Sequence, residues 1–474
     1  MKIDRSRYVL ALPLLAGVFA AVALAFWWAH PLADAVLERL PGADAAPGAE
    51  GASPANPILA GKLMAGSVQP PTNLPGLWPQ FRGPNRDGIS PETTPLARSW
   101  DAAGPRQLWA VNCGEGYAGP VVREGRVYLM DYDYDKKENA LRCLSLADGG
   151  EIWRYAYRLP IKRYHGITRT VPALAGQFVV AMDPKCHVLC LDAGTGELRW
   201  GMNLVSEYGA TVPQWYAGQC LLIDGDAVIL APGGHDALLA AVELATGKTL
   251  WRSPNPHDWK MTHSSVMPME FGGRRFYVYC AGGGVAAVSA KDGAPLWETD
   301  AWKISFATVP APLVLEGGKI FLSGGYGAGG MLLQLEDQGG RLVPKIVWKV
   351  SPEVFGATQQ TPIYHNGLIY GTRPNGQFVC LGLDGKVAWA SPAVDSFGRS
   401  PFLLADGLFF VMNEDGKLSL MEDSPARFQL LAQAQVLKGG NEAWGPMALA
   451  GGRLLARDLT NMVCLDVSAA PPPK

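Results

Sequence analysis

Eight short segments of the chain lie directly before a proline and carry bulky polar side chains where a turn needs only small residues. They read GEGYAGP, RYHGITRTVP, EYGATVP, WKMTHSSVMP, SFATVP, FGATQQTP, SFGRSP and NEAWGP, within residues 114–446. If the fold gathers them, their polar groups converge on a concave site that orients a ligand. The predicted site residues are Glu115, Arg163, His165, Arg169, Glu207, His263, Gln360, Arg399 and Trp444. The alternative is a solvated rim whose acidic and basic members pair with each other.

A repeat in the sequence positions these segments. A tryptophan closes a short strand after a turn at intervals of 41 to 51 residues, at Trp109, Trp153, Trp200, Trp251, Trp297, Trp348 and Trp389. Each unit opens with a proline and contains apolar runs separated by Gly and Asp turns, a pattern that indicates four short strands. A repeat of this length with four strands predicts the blade of a β-propeller. We expect each tryptophan to pack between neighbouring blades.

The two ends of the repeat region complement each other. Eight units begin with a proline, and the last stops at Val467 before its tryptophan strand. The segment around residues 105–111 is a tryptophan strand with no blade before it. The sequence therefore predicts an all-β, eight-bladed propeller of four-stranded blades, whose last blade is completed by the N-terminal strand. Such closure removes free sheet edges.

The N-terminus predicts a membrane anchor. The 21 residues from Tyr8 to Trp28 carry no charge and follow Lys2, Arg5 and Arg7. That length suits a transmembrane helix, and the preceding cations favour a cytoplasmic N-terminus. We therefore expect a single-pass inner-membrane protein with its propeller on the periplasmic side. A cleaved signal peptide is the alternative.

The expected organisation has five parts. They are a signal-anchor or transmembrane helix (1–30), an Ala/Pro/Gly-rich linker (31–76), an entry segment packing on the propeller (77–104), the propeller (105–467) and a Pro-rich tail (468–474). Within the entry segment, Arg82 and Arg86 belong either to a structural clasp or to a site for a carboxylate partner.

Charge and cysteine usage narrow the classes of function. Lys and Arg number 41 against 43 Asp and Glu, so no basic surface for nucleic acid is expected. The cysteines at one shared repeat position should lie too far apart for disulfides and are expected to be small buried residues. They are Cys143, Cys190, Cys380 and Cys464. No spacing of His, Cys, Asp or Glu predicts a metal site.

The phrases VLCLDAGTGELRW and LLAAVELATGKTLW resemble the repeat of propellers of the pyrroloquinoline quinone (PQQ) type, and the resemblance covers roughly residues 77–467. LWPQFRGPNRDGIS, at 77–90, is similar to the entry segment of bacterial PQQ-like propeller proteins. The resemblance implies the propeller fold. It leaves function open, because the repeat is shared by dehydrogenases and by non-catalytic scaffolds such as the propeller subunit of the outer-membrane barrel-assembly machinery.

For the dehydrogenases, the resemblance implies PQQ with calcium, a catalytic Asp, a Trp that stacks on the quinone and an adjacent cysteine pair. The chain has no adjacent cysteines, no Asp in the eight segments and no C-x-x-C-H haem motif. The first hypothesis is therefore a binding or scaffold module for a protein or a small ligand. The alternative is a PQQ-dependent oxidoreductase of the alcohol or sugar dehydrogenase type.

Overall fold

The computed structural model describes residues 6–29, 56–71, 74–163, 165–439 and 442–469. The chain divides into a unit of residues 1–40 and a unit of residues 41–474. The first unit contains one helix, Ser6–Ala29. Within the described ranges, no helix has the length and hydropathy of a membrane span. Most of the predicted linker (31–55) and of the Pro-rich tail (470–474) lies outside the described residues.

The second unit contains eight antiparallel sheets in chain order, each with four strands of the repeat. Several strands are apolar on both faces, because a blade packs against a neighbour on each side. His187–Asp192 and Leu408–Met412 are buried along their whole length. The first strands of neighbouring blades contact each other and therefore surround the central channel. The predicted fold, with eight blades of four strands, is confirmed.

The strand bounds follow the predicted units. Blades 1 to 4 comprise Val121–Arg123, Arg126–Asp133, Glu138–Ser145 and Glu151–Arg158; Ala173–Ala175, Phe178–Met182, His187–Asp192 and Leu198–Asn203; Leu222–Asp224, Ala227–Leu230, Ala240–Glu243 and Thr249–Arg252; Met267–Phe271, Arg274–Ala281, Gly284–Ser289 and Pro295–Thr299. Blades 5 to 8 comprise Leu313–Leu315, Lys319–Gly324, Gly329–Gln338 and Arg341–Val350; Ile363–His365, Leu368–Thr372, Phe378–Gly382 and Val387–Ala390; Phe402–Ala405, Leu408–Met412, Lys417–Glu422 and Leu430–Gln435; Ala448–Ala450, Arg453–Arg457, Asn461–Asp466 and Arg106–Asn112. Short helices cover Pro57–Ala60, Leu204–Tyr208 and Glu316–Gly318.

The ring closes through a strand from the start of the propeller sequence. Arg106–Asn112 pairs antiparallel with Asn461–Asp466, placing Trp109 opposite Cys464. The strand thus becomes the fourth strand of blade 8, as predicted. Arg457, in the second strand of that blade, is buried and donates to Gly114 O (2.9 Å) and Ala118 O (3.3 Å) at the start of blade 1. The first and last blades are therefore joined by more than strand pairing.

Four repeat tryptophans donate a hydrogen bond to the next blade, whereas Nε1 of Trp153 and of Trp297 is buried without a partner among the described residues. Trp200 Nε1, in blade 2, donates to Leu244 O of blade 3 at 2.8 Å. The equivalent bonds join Trp109 to Leu146, Trp348 to Leu383 and Trp389 to Ser424. The Trp200 ring also packs on Gly247, where an added Cβ would lie 2.8 Å from the ring. The turn glycine and the tryptophan of the repeat are therefore partners across a blade boundary, as the expected packing role requires.

The shared cysteine position follows from the same packing. Cys190 lies opposite Trp200 on the neighbouring strand, and Cys143 lies opposite Trp153. Blade 3 has Ala241 in this place. A small buried residue is needed beside each indole, and cysteine is one of the residues that meet this need. All eight cysteines are free.

Residues 56–71 were expected to be part of a linker, yet they form an ordered strap on blade 1. Lys62–Ala65 pairs with the fourth strand of that blade, with Leu63 opposite Tyr155. Ile58 is fully buried, and Tyr155 donates a hydrogen bond to Ile58 O at 2.8 Å. The strap is held by edge pairing and by one buried apolar side chain.

The following stretch, residues 77–92, folds back inside the central channel and is here named the channel hairpin, although its two short strands pair with blades and not with each other. Leu77–Trp78 pairs with the first strand of blade 1, and Ile89–Ser90 lies parallel to the first strand of blade 7. The Glu92 carboxylate joins the two ends of the channel hairpin and blade 8 by accepting hydrogen bonds from Leu77 N at 2.8 Å and from Gly451 N at 2.6 Å. Because the first strands line the axis, the channel hairpin fills the channel.

The two arginines of the channel hairpin bind backbone carbonyls. Arg86 is buried and donates to Leu221 O, Cys220 O and Val266 O at 2.9–3.3 Å, which joins blades 3 and 4. Arg82 donates to Thr361 O and, at 2.8 Å, to Pro362 O of blade 6. Burial lowers the pKa of both side chains to about 10. The idea that they hold a carboxylate partner is wrong, because both side chains are buried and backbone carbonyls accept from all of their nitrogens except Arg86 Nε.

The contact between turn glycine and tryptophan can be tested within blade 3. Gly247 and Gly225 both have left-handed backbones (φ 72° and 60°), but nothing lies within 4 Å of a Cβ at Gly225. An alanine in that conformation costs about 1–2 kcal/mol, and overpacking adds about 1–3 kcal/mol. We expect Gly247→Ala to lower the urea concentration at half-unfolding clearly more than Gly225→Ala. Equal shifts for the two variants would mean that the indole contact does not stabilise the blade boundary.

Candidate functional site

The segments that precede the prolines meet at one end of the ring, around a cavity of about 800 Å³, here named the ring-mouth cavity. Of the predicted site residues, five line it: His165, Arg169, His263, Arg399 and Trp444. They come from the entries to blades 2, 4, 7 and 8, up to 279 positions apart in the sequence. The fold therefore brings together side chains that only the repeat relates.

The channel hairpin forms the inner end of this cavity. Phe81 is among its lining residues, and it also borders a smaller cavity of about 70 Å³ that reaches Trp78 and Arg82. Gln360 lines only this smaller cavity, where its side-chain amide donates to Gly398 O and Ser400 O at 3.0 and 2.9 Å. Gln360 therefore braces the wall between blades 6 and 7.

Three predicted residues lie away from the ring-mouth cavity. Arg163 and Glu115 form an ion pair and line a separate cleft beside Asp131. Glu207 is exposed on the helix Leu204–Tyr208. The alternative interpretation, in which rim residues neutralise each other, thus describes Arg163 and Glu115.

Two arginines give the cavity a positive charge. Arg169 donates to Ile167 O at 3.2 Å, and its guanidinium lies 5.6 Å from the centre of the Tyr117 ring. Arg399 stands 5.6 Å from the centre of the Trp444 ring. Among the side chains described, no carboxylate lines the cavity, and neither guanidinium forms an ion pair. Burial lowers the pKa of Arg169 to about 10, so it stays charged at neutral pH.

The two histidines of the cavity are neutral at pH 7. Burial and the charge of Arg169 lower the pKa of His263 to about 4. His263 Nε2 is buried without a hydrogen-bond partner in the part of the chain that the structure describes. Burial is the main cause that lowers the pKa of His165, and the charges of Arg169 and Arg399 act in the same direction, against that of Glu442. The positive charge of the cavity therefore comes from its arginines.

Tyr117 and Glu442 complete one wall. The Tyr117 hydroxyl donates to the Glu442 carboxylate and lies 3.2 Å from His165 Nε2. Burial, followed by this hydrogen bond, raises the pKa of Tyr117 well above its usual value. The rings of Tyr117 and Trp444 lie 5.1 Å apart. The tyrosine hydroxyl thus engages the carboxylate nearest to the arginines and leaves their charge facing the cavity.

The opposite wall is an aromatic ladder of Trp215, Phe306 and Tyr326. Ring centres lie 4.7 Å apart from Trp215 to Phe306 and 4.6 Å apart from Phe306 to Tyr326. Sequence reasoning missed these residues because it ranked the segments by polar side chains. Tyr326 also lies in the turn between the second and third strands of blade 5, outside the segments before proline. Such turns lie at the same end of a blade, which is the signal that could have identified it.

The residues fit a PQQ cofactor only in part. The arginines and aromatic rings suit a flat polycarboxylate. A calcium ion needs several oxygen ligands, usually carboxylates. No group of three His, Cys, Asp or Glu that could hold a metal occurs within the described ranges. The cavity therefore does not form the metal site that the dehydrogenases use, and no reaction step through PQQ follows from its geometry.

Comparisons with known proteins agree with the fold. No significant match was found among curated proteins. BamB from Moraxella catarrhalis is 14% identical, with a TM-score of 0.52 over 76% of this chain and 100% of that structure. Quinohemoprotein alcohol dehydrogenase ADHIIG from Pseudomonas putida HK5 is 14% identical, with a TM-score of 0.58 over 85% of this chain and 82% of that structure.

A europium-containing methanol dehydrogenase is 15% identical, with a TM-score of 0.59 over 83% of this chain and 90% of that structure. At such identities the likeness shows the fold alone. A family model described as outer membrane protein assembly factor BamB matches residues 89–211 and 137–344. These matches span more than half of the chain, and the protein therefore belongs to this family of PQQ-like propellers.

Proposed function

We propose that the propeller is a binding module that captures a carboxylate-bearing ligand, carried by a protein or a small molecule, in the ring-mouth cavity. The observation that carries this proposal is the pair Arg169 and Arg399, which face a cavity whose described lining contains no carboxylate. A guanidinium that has no ion-pair partner among the described residues, in a partly buried site, gains most from a carboxylate, through charge-assisted hydrogen bonds. The scaffold role of the similar BamB fold is compatible with such capture.

The second candidate function is a PQQ-dependent oxidoreductase. Two similar folds are an alcohol and a methanol dehydrogenase, and a flat polycarboxylate fits the arginines and rings of the cavity. The described residues lack the cluster of oxygen ligands for a metal. We therefore favour capture of a ligand without turnover, with PQQ as one ligand to be tested.

We also propose that the N-terminal segment anchors the propeller to the inner membrane, on the periplasmic side. The support is the uncharged run from Tyr8 to Trp28 after three cations. The full chain should stay with membranes during extraction at alkaline pH, and a chain that starts at residue 56 should be released. Release of both proteins would contradict the anchor.

The two arginines should control binding of planar carboxylates. We expect Arg169→Ala and Arg399→Ala each to weaken binding of benzene-1,3,5-tricarboxylate at least about 10-fold, because each removes a charged partner. Quenching of tryptophan fluorescence provides the measurement, since Trp215 and Trp444 line the cavity. The matched control is Arg163→Ala, which lies outside the cavity and should change the Kd less than twofold.

Unchanged binding in both cavity variants would reject the proposed function. The same titration with PQQ and calcium, followed by an assay of dye reduction with alcohols as substrates, distinguishes the oxidoreductase from ligand capture. We expect binding without dye reduction. Calcium-dependent turnover would instead establish the oxidoreductase.

The pKa values predict how binding depends on pH. His263 has a pKa of about 4 and Arg169 one of about 10, so neither changes charge between pH 6 and 9. The pKa of His165 is also lowered, so its ring is mainly neutral at pH 7 and above. The Kd for benzene-1,3,5-tricarboxylate should therefore stay within about twofold from pH 7 to pH 9. Binding that tightens several-fold from pH 9 to pH 7 would show that a histidine carries the positive charge.

A further inference from the structure

The aromatic ladder is exposed in a way that packing alone does not explain. Phe306 is 55% exposed and Tyr326 is 45% exposed, although both are large apolar rings. They touch each other and Trp215 in one row, with successive rings tilted by 51° and 52°. A contiguous apolar surface beside a polar cavity marks a binding surface more often than a structural one.

The backbone conformation of Tyr326 is unfavourable for a residue that carries a side chain. Tyr326 has a left-handed backbone (φ 55°) between Gly325 and Gly327 in the sequence GGYGAGG. A side chain in this conformation costs about 1–2 kcal/mol relative to glycine. Since the rest of the turn is mostly glycine, the ring is not needed to form it. Strain of this kind is concentrated at functional sites.

The spacing of the ladder matches a particular ligand geometry. From Trp215 through Phe306 to Tyr326, the two steps between ring centres are 4.7 and 4.6 Å, so the row extends over at most about 9 Å. One turn of a polyproline II helix has three residues and a length of about 9 Å. The rings are in contact, and pyrrolidine rings can stack on their exposed faces, as in other aromatic-lined grooves that bind proline-rich segments.

The positive charge of the cavity indicates which chemical group the ligand carries beside the ladder. The Trp215 ring lies 6.4 Å from that of His263, whose pKa is lowered by the nearby Arg169. The Trp215 end of the ladder therefore adjoins the positive part of the cavity. An acidic group next to the prolines of a ligand on the ladder would therefore lie on the side of this charge.

We propose that the aromatic ladder and Arg169 together bind an extended peptide segment that contains prolines followed by or preceded by an acidic residue. The prolines lie on Phe306 and Tyr326, and the carboxylate pairs with Arg169 at the Trp215 end. This inference rests on the proposed function, since it names the chemistry of the partner that the ring-mouth cavity captures.

The test uses the full chain and three fluorescein-labelled peptides in anisotropy titrations. The first contains four prolines next to two glutamates, the second replaces the prolines by alanine, and the third replaces the glutamates by glutamine. We expect the first peptide to bind at least about 10-fold tighter than either of the others. Phe306→Ala should weaken it about 10-fold, whereas Phe306→Tyr, which keeps the ring, should stay within about threefold of the unmodified chain.

The matched control is Tyr134→Ala, an exposed ring (42%) that lines the separate cleft. It should leave binding of the first peptide unchanged. A far-ultraviolet circular dichroism spectrum that matches that of the unmodified chain shows that Phe306→Ala is folded, and this variant should still bind benzene-1,3,5-tricarboxylate more tightly than Arg169→Ala does, because both arginines remain. Together these results would support the inference.

Several outcomes would overturn it. The ladder is not a proline site if the alanine peptide binds as well as the first, if Phe306→Ala has no effect, or if no peptide binds. Displacement of the first peptide by cellohexaose would assign the ladder to saccharides. Loss of peptide binding in Arg169→Ala without any effect of Phe306→Ala would leave the proposed function intact. If Arg169→Ala affects neither the peptide nor the tricarboxylate, the proposed function fails with the inference.

Discussion

The structure depends on one pairing, in which Arg106–Asn112 supplies the missing strand beside Asn461–Asp466. Without it, blade 8 would end in an unpaired edge and the first strands would not surround an axis. The paired strands lie more than 340 residues apart in the sequence, so the contact that completes the ring is non-local. Contacts of this kind form late, after the loop-closure entropy has been met by other interactions. The hydrogen bonds from Arg457 to the first blade reinforce the same junction.

Closure of the ring alone would leave an open central channel, and the channel hairpin fills it. Its two buried arginines satisfy carbonyl groups of blades 3, 4 and 6. Buried charges are tolerated when hydrogen bonds replace their hydration, which is the arrangement here. Phe81 of the channel hairpin lines both the ring-mouth cavity and the smaller cavity of about 70 Å³. The inner end of the site is therefore formed by a segment that precedes the propeller.

The repeat made the fold predictable, because tryptophan, turn glycine and proline each mark a fixed place in a blade. It also predicted which segments would meet, and His165, Arg169, His263, Arg399 and Trp444 do line one cavity. It could not predict side-chain direction within a loop, and for this reason Glu115 and Arg163 face another cleft and Gln360 braces the wall. The aromatic ladder escaped because exposed rings in glycine-rich turns carry no polar signal. The sequence could not predict the role of Arg82 and Arg86, because the carbonyl groups that they bind come from distant blades.

The contact between Trp200 and Gly247 crosses a blade boundary, and blades 1 to 3 each carry a turn glycine that contacts the tryptophan of the preceding blade and a tryptophan that contacts the turn glycine of the following blade. A unit cut from one of these tryptophans to the next therefore has matching ends. Duplication or loss of such a unit in a gene would preserve these contacts, whereas a change within a unit would break one. The repeat thus offers a ready route by which related rings could gain or lose blades during evolution.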